Sequence, residues 1–409
     1  MTTDLPLRAM RVLISGAGVA GPALACWLAR YGAATTVVEA APALRGGGFG
    51  VDFRGPTHLG VLERTGVLDT LRGLQTHAGA MRAVDERGRE IFTLPAAFAG
   101  GEIEVYRDDL SRVLYERSLA MGGGQPPEYV FGDTVTSLAE TAEGVRVGFA
   151  RTEPRIYDLV IGADGLHSAV RRLAFGPEQR YVRHLGYYLA GWSLPNDLGF
   201  DGTPQQYNVP GRMASVSADL RDPSRARAFA VFASPELDYD RDDVEQQKKH
   251  IVSALADLRW HVPRLLDGLQ SVSELYFDAI CRVDVPRMSA GRVALLGDAA
   301  FGVTLGGMGV GTGIVGAYVL AGELACSAGD HRAAFEAYER RMRGYASGWQ
   351  KRASPGRFLA PASATGLRLR NALLGNRLVQ RAMISGTKSL ATGFDLPDYA
   401  EGSTQRAAG

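Results

Sequence analysis

Three separated stretches of the chain share one order of apolar and polar positions. Each begins with a short apolar run, at Arg11–Ser15, at residues 159–161 and at residues 292–296. A turn that contains glycine follows each run, and positions with the apolar spacing of a helix come after the turn. Short apolar runs without alternation are typical of parallel strands buried on both faces. The pattern therefore predicts three such strands, each feeding a glycine turn and a helix.

The first turn has the spacing of a dinucleotide-binding loop. Gly16, Gly18 and Gly21 form a G-x-G-x-x-G pattern between the first strand and an apolar helix. The first glycine permits a tight turn, the second lets a pyrophosphate approach, and the third lets the helix pack on the strand. Glu39 closes the second strand, where a carboxylate would hold a ribose hydroxyl. An acid there favours NAD or FAD over NADP, and these residues do not choose between the first two.

The second and third turns each place an aspartate near the start of a helix. Asp164 follows Gly162 and Ala163 in the second turn, and Asp298 follows Gly297 in the third. Either motif alone is a common turn. Together, behind a dinucleotide loop, the three turns indicate one extended ligand that crosses several strand ends. A carboxylate there can accept hydrogen bonds from the ribityl chain of FAD, and NAD has no such chain.

The residues between the second and third turns have a different hydrophobic pattern. It is partly alternating and rich in aromatic residues, which predicts strands of a separate sheet, and residues 81–95 predict a hairpin that joins this sheet. A helix near the C-terminus is expected to brace the two domains. The expected units are an FAD-binding domain of residues 1–80, 96–180 and 281–345, a substrate domain of residues 81–95 and 181–280, and a C-terminal helical segment of residues 346–409.

Five residues of this middle region are candidates to line a cavity over the ligand. An apolar, aromatic wall suits a flat hydrophobic substrate better than a small charged acid. The alternative for each residue is packing in the core of the sheet. The candidates are Tyr188, Trp192, Tyr207, Met213 and Phe232.

The composition indicates which class of protein this is and which partners and sites it favours. Of the 409 residues, 46% are hydrophobic and 22% are charged, as in ordinary globular proteins, and the net charge of +1 gives no reason to expect nucleic acid or a membrane as partner. The seven histidines do not pair at a ligand spacing, so we expect no metal. The three cysteines have apolar neighbours and favour a reduced, cytoplasmic protein. The oligomeric state stays open, a monomer included.

The three motifs, in this order and spacing, resemble those of the FAD-dependent aromatic hydroxylases typified by p-hydroxybenzoate hydroxylase, the single-component flavoprotein monooxygenases. Within that family they look closest to the tetracycline-inactivating and polyketide-tailoring branch. The resemblance covers most of the chain through about residue 350, and only the layout supports it over residues 180–280. It implies an α/β fold with a Rossmann-like, glutathione-reductase-type FAD-binding domain, an inserted mixed-sheet substrate domain and a C-terminal bracing helix.

The resemblance also implies contacts to the adenosine and phosphate half of FAD. Glu39 would hold the adenosine ribose, Arg107 would lie at the ribityl-phosphate region, and the backbone of Val135 would meet the adenine. The pyrophosphate would be held by Gly16, Gly18, Val19, Ala20 and Gly21.

Further residues match positions near the flavin. Asp164 and Gly165 match a motif linked to both FAD and reduced nicotinamide, and Asp298 matches the aspartate that binds the ribityl chain. Asp52 and Arg54 are candidate contacts in the loop beside the flavin, for which the alternative is a flexible glycine connector. Backbone amides near the pyrimidine edge of the flavin would come from Gly309, Val310 and Gly311, and Gly306 is a further candidate FAD contact in the same loop.

The activity that the resemblance implies is hydroxylation of an aromatic or polycyclic small molecule, such as a polyketide-like natural product or antibiotic. NADPH or NADH would reduce FAD, and O₂ would then form a flavin C4a-hydroperoxide; no side chain is named as a catalytic base. One alternative is an FAD-dependent reductase or dehydrogenase without oxygen insertion, and another is a non-catalytic flavin-binding protein. A Baeyer–Villiger outcome stays open, whereas halogenation is disfavoured because "GWSLP" lacks the W-x-W-x-I-P run of flavin halogenases.

The third turn departs from the family pattern of histidine, prolines and then G-Q-G-x-N. Phe301 replaces the histidine, and no proline precedes Gly306. Met308 and Gly311 stand where glutamine and asparagine are usual. Asp298 and the glycines remain, so the departure concerns the surface that this loop shows to flavin and substrate.

Overall fold

Four sheets and fourteen helices are found in the part of the chain that the computed structural model describes, which is residues 5–46, 48–121, 125–305, 309–350, 354–391 and 393–399, with the backbone alone at 99, 349 and 387–391. In chain order the elements are β1 (Arg11–Ser15), α1 (Ala20–Arg30), β2 (Ala34–Glu39), β3 (Gly50–Phe53), α2 (Gly55–Thr65), α3 (Leu68–Gly73), β4 (Met81–Val84), β5 (Glu90–Leu94), α4 (Ala96–Ala99), β6 (Ile103–Tyr106), α5 (Arg107–Ala120), β7 (Glu128–Phe131), β8 (Val135–Thr141), β9 (Gly144–Phe149), β10 (Arg155–Tyr157), β11 (Leu159–Gly162), α6 (Ala169–Phe175), a 3₁₀ turn (Glu178–Arg180), β12 (Val182–Pro195), β13 (Gln205–Val209), β14 (Arg212–Ala218), β15 (Arg225–Ala233), α7 (Val244–Leu255), α8 (Val262–Gln270), β16 (Tyr276–Val283), β17 (Ser289–Ala290), β18 (Val293–Leu295), α9 (Asp298–Phe301), α10 (Gly309–Cys326), α11 (His331–Gln350), α12 (Pro355–Leu359), α13 (Ala364–Leu374) and α14 (Arg377–Ala391).

The three predicted parallel strands are neighbours in a six-stranded sheet of order β17-β18-β11-β1-β2-β7. All pairings in it are parallel except the one between β17 and β18. Ser15 pairs with Gly162, and Gly162 pairs with Leu295, so the three strands end side by side. The three glycine turns therefore leave the same edge of the sheet, where ligands of open α/β folds bind. The predicted α/β, Rossmann-like fold is confirmed.

A seven-stranded sheet of order β16-β12-β15-β14-β13-β4-β5 forms the second large layer. β4 and β5 are the predicted hairpin, and β4 pairs in parallel with β13 across a long stretch of sequence. One face of this sheet packs with α7 and α8 in a closed apolar core. The opposite face receives α12 and the aromatic ring of Phe49, which comes from the loop before β3. The sheet therefore has a back face buried under its own helices and a front face turned to other parts of the chain.

Three helices replace the single C-terminal helix that the sequence predicts. Pro361 follows the end of α12, and Ser363 caps α13 by accepting a hydrogen bond from the backbone of Gly366 at 3.0 Å. Gly375 then ends α13 before α14 begins. α12 contacts β12 and β15, α13 contacts β5 and β13, and α14 contacts α2 and α4. Proline and glycine divide the segment, but the bracing that the sequence predicts is present.

α10 is the central helix of the first layer and packs on α1 and α11. Among the described residues it is the one helix long and apolar enough to cross a membrane, and 78% of it is buried inside the protein. A helix in the core of a protein can be as long and as apolar as a membrane-spanning helix, because neighbouring elements cover it on all sides.

Candidate active site

The cleft at the shared strand edge forms because the three turns touch one another. Gly16 has a φ of +107°, and a Cβ on it would lie 2.5 Å from the carbonyl oxygen of Ala163 in the second turn. A Cβ on Gly297 in the third turn would lie 3.1 Å from the Cβ of Ala20 at the start of α1. Only glycine allows a left-handed backbone and such close packing at position 16. The turns thus form one continuous backbone surface.

Gly18 and Arg107 leave room for an anion between them. The nearest atom to a Cβ on Gly18 would be Nη2 of Arg107 at 3.7 Å, so that side of the loop is open. Within the described part of the chain, no side chain caps the start of α1, where backbone N–H groups point outward. Val19 and Ala20 form that start, and Gly21 packs against the carbonyl oxygen of Gly16. A helix start and a guanidinium facing one opening suit a phosphate group.

Glu39 lies at the end of β2 and is tied to the first turn. Its carboxylate accepts hydrogen bonds from the backbone N–H of Ala17 at 2.8 Å and of Ala41 at 3.0 Å. The turn after β7 contains Asp133, whose backbone N–H donates to the carbonyl of Glu39 at 3.1 Å. Val135 begins β8 just beyond this turn and is buried. Position 39 and position 135 are therefore on one side of the cleft.

Arg107 and Asp298 face each other from opposite parts of the chain. The side chain of Asp298 is solvent-accessible, yet protein encloses it on most sides, and this enclosure raises the pKa of its carboxyl while the charge of Arg107 opposes the rise. Neither side chain has a hydrogen bond or ion pair within the described ranges. Gly309 adjoins Asp298, since a Cβ on it would lie 3.3 Å from Oδ1 of that residue.

Tyr276 at the start of β16 joins this pair and was not singled out from the sequence. Enclosure by protein raises the pKa of its phenol, and the charges of Asp278 and Asp298 add to the rise while that of Arg107 opposes it. The residue as a whole is 39% exposed. Its sequence neighbours gave no signal of the site, because Arg107 and Asp298 are distant from it in the chain.

Asp164 is bound within the protein instead of facing the cleft with a free carboxylate. It accepts hydrogen bonds from the hydroxyls of Ser168 and Ser15 and from the backbone N–H of Val170. Burial raises the pKa of its carboxyl, and the hydrogen bonds of Ser168 and Val170 oppose that rise. Gly165 follows with a φ of +79°. The geometry of the second turn is therefore set by its own aspartate.

Arg171 links the second turn to the third. Its side chain is fully buried, and its guanidinium donates to the carbonyls of Leu166 at 2.6 Å and Ala299 at 3.0 Å. Ala299 directly follows Asp298, so this buried arginine holds the two aspartate turns together.

Asp52 and Arg54 form an ion pair at the side of the cleft. Arg54 also donates from Nη2 to the carbonyl of Phe98 at 3.0 Å, and its side chain is nearly buried. Both residues are therefore fixed by the protein itself. Gly306 and Met308 lie outside the described residues, whereas Val310 and Gly311 begin α10 next to Gly309.

The front face of the second sheet supplies an aromatic wall. The ring of Phe49 fills the space above Gly191, where a Cβ would lie 2.3 Å from its Cζ. Its centroid lies 5.0 Å from that of Phe229 and 5.5 Å from that of Tyr276. Arg227 fixes the Phe49 loop by donating to the carbonyl of Gly48 at 2.7 Å.

Four of the five candidate substrate residues lie on the back face. They pack in the core with α7 and α8, where Trp192 donates to the carbonyl of Leu265 at 3.1 Å and the hydroxyl of Tyr188 accepts from the N–H of Leu237 at 2.8 Å. Met213 is on the front face with Val231. The back-face residues are Tyr188, Trp192, Tyr207 and Phe232.

Comparison with known proteins agrees with this geometry. The FAD binding domain family matches residues 9–192. An uncharacterized protein of Mycobacterium tuberculosis is 40% identical over 342 residues, which cover 82% of this chain and 90% of the relative. A flavin-dependent monooxygenase of Legionella longbeachae is 33% identical over 348 residues, which cover 84% of this chain and 87% of the relative.

A solved structure extends the likeness to the whole fold. Tetracycline destructase Tet(51) is 28% identical and has a TM-score of 0.81, with 95% of this chain and 99% of that chain covered. The chain therefore belongs to the flavin-dependent monooxygenases, enzymes of the FAD aromatic hydroxylase type.

Proposed function

We propose that this enzyme uses NADPH or NADH and O₂ to hydroxylate a flat aromatic or polycyclic small molecule. The observation that carries the proposal is the position of the aromatic wall. Phe49, Phe229 and Tyr276 adjoin the same cleft as Arg107 and Asp298. A flat ring system held by that wall would lie beside a flavin held by the turns.

The chemistry of the cleft fits FAD along its length. The start of α1 with Gly18 and Arg107 suits the pyrophosphate, and Glu39 has acceptor capacity left for a ribose hydroxyl. The carboxylate of Asp298 has no hydrogen-bond partner among the described residues and suits the ribityl hydroxyls. Asp164 would act indirectly, because its oxygens already accept three hydrogen bonds.

Bound FAD would supply the redox chemistry, which is acceptance of hydride from the nicotinamide and activation of O₂ for transfer of one oxygen atom, with the other lost as water. The chain contributes position and electrostatics. The backbone amides of Gly309, Val310 and Gly311 at the start of α10 would stabilise negative charge on the reduced ring. The apolar wall would exclude water from the reacting atoms.

We propose the front face of the second sheet as the substrate side, with Phe229, Tyr276 and Met213 in place of the back-face residues. The back-face rings contact α7 and α8, which supports a core role for them. The width of an aromatic wall favours polycyclic substrates over a single small acid. The likeness to tetracycline destructase makes tetracycline a suitable probe.

Ligand-stimulated oxidation of NADPH tests the proposal. The purified enzyme with FAD is mixed with tetracycline, salicylate and a panel of polycyclic phenols, and NADPH loss is followed with product mass under ¹⁸O₂. We expect at least one polycyclic compound to accelerate NADPH oxidation and to gain a single ¹⁸O atom. Accelerated oxidation without ¹⁸O in any product would support the reductase alternative instead. Bound FAD that no compound allows NADPH to reduce would support a non-catalytic flavin-binding protein.

A further inference from the structure

A buried histidine occupies the space beside Gly311. His58 on α2 is 1% exposed, and its ring lies against the first turn of α10. A Cβ on Gly311 would lie 2.4 Å from Cε1, 2.6 Å from Nε2 and 2.7 Å from Nδ1 of that ring. A rigid ring in a packed core cannot move aside as a flexible chain end can. Glycine at 311 and histidine at 58 are therefore sterically matched.

Hydrogen bonds fix the histidine ring on both sides. The backbone N–H of Arg54 donates to Nδ1 at 3.3 Å, so Nδ1 is an acceptor. Burial, with a smaller effect of the Arg54 charge, lowers the pKa of His58 to about 4, so the ring is neutral at physiological pH. Nε2 then carries the proton and donates to the hydroxyl of Tyr345 on α11 at 2.8 Å. One ring thus joins α2, α10 and α11.

We propose that His58 is a positioning residue for the flavin-facing turn of α10, and that its ring fills the space which an asparagine side chain takes at position 311 in the family pattern. The proposal rests on the proposed contact between FAD and Gly309–Gly311. The same ring also holds the backbone of Arg54, so it would set the distance between the loop beside the flavin and the start of α10. The ring of His58 then explains why position 311 is glycine in this chain, because the ring already occupies the space of a side chain there.

Exchanging the two sizes tests the proposal. In the holoenzyme, Gly311→Asn should clash with the ring and weaken FAD binding about tenfold or more, as overpacking of a rigid core does. His58→Ala combined with Gly311→Asn should restore the FAD dissociation constant to within about threefold of the unchanged protein, because the new side chain gains space. Gly344→Asn is the control, since position 344 is an exposed helical glycine with open space around it.

Two further readouts separate positioning from general stability. FAD affinity comes from flavin fluorescence, while the visible absorption bands and midpoint potential of bound FAD report the surroundings of its ring. His58→Ala alone should shift the bands and the potential in a protein that is still folded by circular dichroism.

Unchanged affinity and spectrum in Gly311→Asn, or a double variant that binds no better than Gly311→Asn, would overturn the proposal. If Gly311→Asn does not fold, wild-type bands and potential in His58→Ala would overturn it as well. Every readout here is flavin binding or spectroscopy. The outcome of this test therefore does not depend on whether the enzyme hydroxylates any substrate, and the two tests can fail separately.

Discussion

Single residues in the cleft differ in whether the protein already satisfies their charges. Asp164 and Arg54 have hydrogen bonds that fix them within the fold. The side chains of Arg107 and Asp298 have neither hydrogen bonds nor ion pairs among the described residues, although they face the same opening. Unpaired charged groups at an enclosed site cost stability, which makes them candidates for ligand contact.

Arg107→Ala should weaken FAD binding by about tenfold to a hundredfold, because a charge-assisted hydrogen bond to the phosphate is lost. The measurement is the FAD dissociation constant by flavin fluorescence. Arg112→Ala is the matched control on the same helix, where the arginine is exposed and paired with Asp109 and Glu116. Equal losses in both variants would contradict a specific role for Arg107.

Asp298→Asn should stabilise the flavin-free protein at pH 7 and weaken FAD binding. The pKa of this carboxyl is raised in the folded state, so its ionised form opposes folding above its ordinary pKa of 3.8. The gain in thermal stability over the unchanged protein should therefore shrink as the pH falls towards 4. A variant that is less stable than the unchanged protein at pH 7 would contradict this account.

At the scale of elements, the two faces of a strand in the second sheet have different partners. Phe229 and Phe232 are both on β15, but Phe229 contacts Phe49 and Phe232 packs under the helices of the back face. The two residues thus offer a matched comparison of the faces within one strand.

Phe229→Leu should raise the KM for the ligand selected by NADPH oxidation severalfold, with little change in stability. Phe232→Leu should lower the free energy of unfolding by about 1 kcal/mol and leave KM unchanged, because it removes core packing alone. Steady-state kinetics and urea unfolding measure the two effects. The reverse assignment would place the substrate on the back face.

The sequence predicted the position of the three glycine turns better than it predicted which face of the second sheet each residue occupies. A glycine turn after a buried strand is encoded locally, so Gly16, Asp164 and Asp298 could be located from their neighbours. In β12, however, residues 187–192 are all buried, because both faces of the sheet are covered. Continuous burial removes the alternation that would tell Tyr188 from Tyr187. Tyr276 was missed since its partners Arg107 and Asp298 are distant in sequence.

Contacts between the two large sheets determine how the whole molecule holds its cleft. We propose that the domain division lies at residues 81–95 and 181–280, which the pairing of β4 with β13 supports. His167, just after the second turn, reaches Asp278 on β16 through Nε2 at 3.2 Å and Glu178 through Nδ1 at 3.0 Å. Arg241 also contacts Glu178 at 3.5 Å.

His167→Gln should reduce stability at low pH only. Burial lowers the pKa of His167, but the hydrogen bonds with Asp278 and Glu178 outweigh it, so the folded-state pKa is raised above 6.5. The stabilisation from the charged ring is fully present below the unfolded pKa of 6.5 and is lost as the pH rises through the folded pKa. Thermal unfolding between pH 5.5 and 8.5 should show the two curves converging at high pH.

His331→Gln is the control for that comparison. Burial lowers the pKa of His331, so its ring opposes folding at low pH, and the variant should gain stability there relative to the unchanged protein. The same sign of effect in both variants would contradict the assignment to His167.

The packing of Ala20 against Gly297 and Gly313 has a consequence for synthesis. The ribosome releases the dinucleotide loop long before it releases α10. The nascent chain therefore exposes the first glycine turn before the third turn, which completes the cleft, has been made. Capture of FAD would then be among the last events of folding. Because a ligand that binds only the native state shifts the folding equilibrium, the supply of flavin in the cell would govern the yield of finished protein.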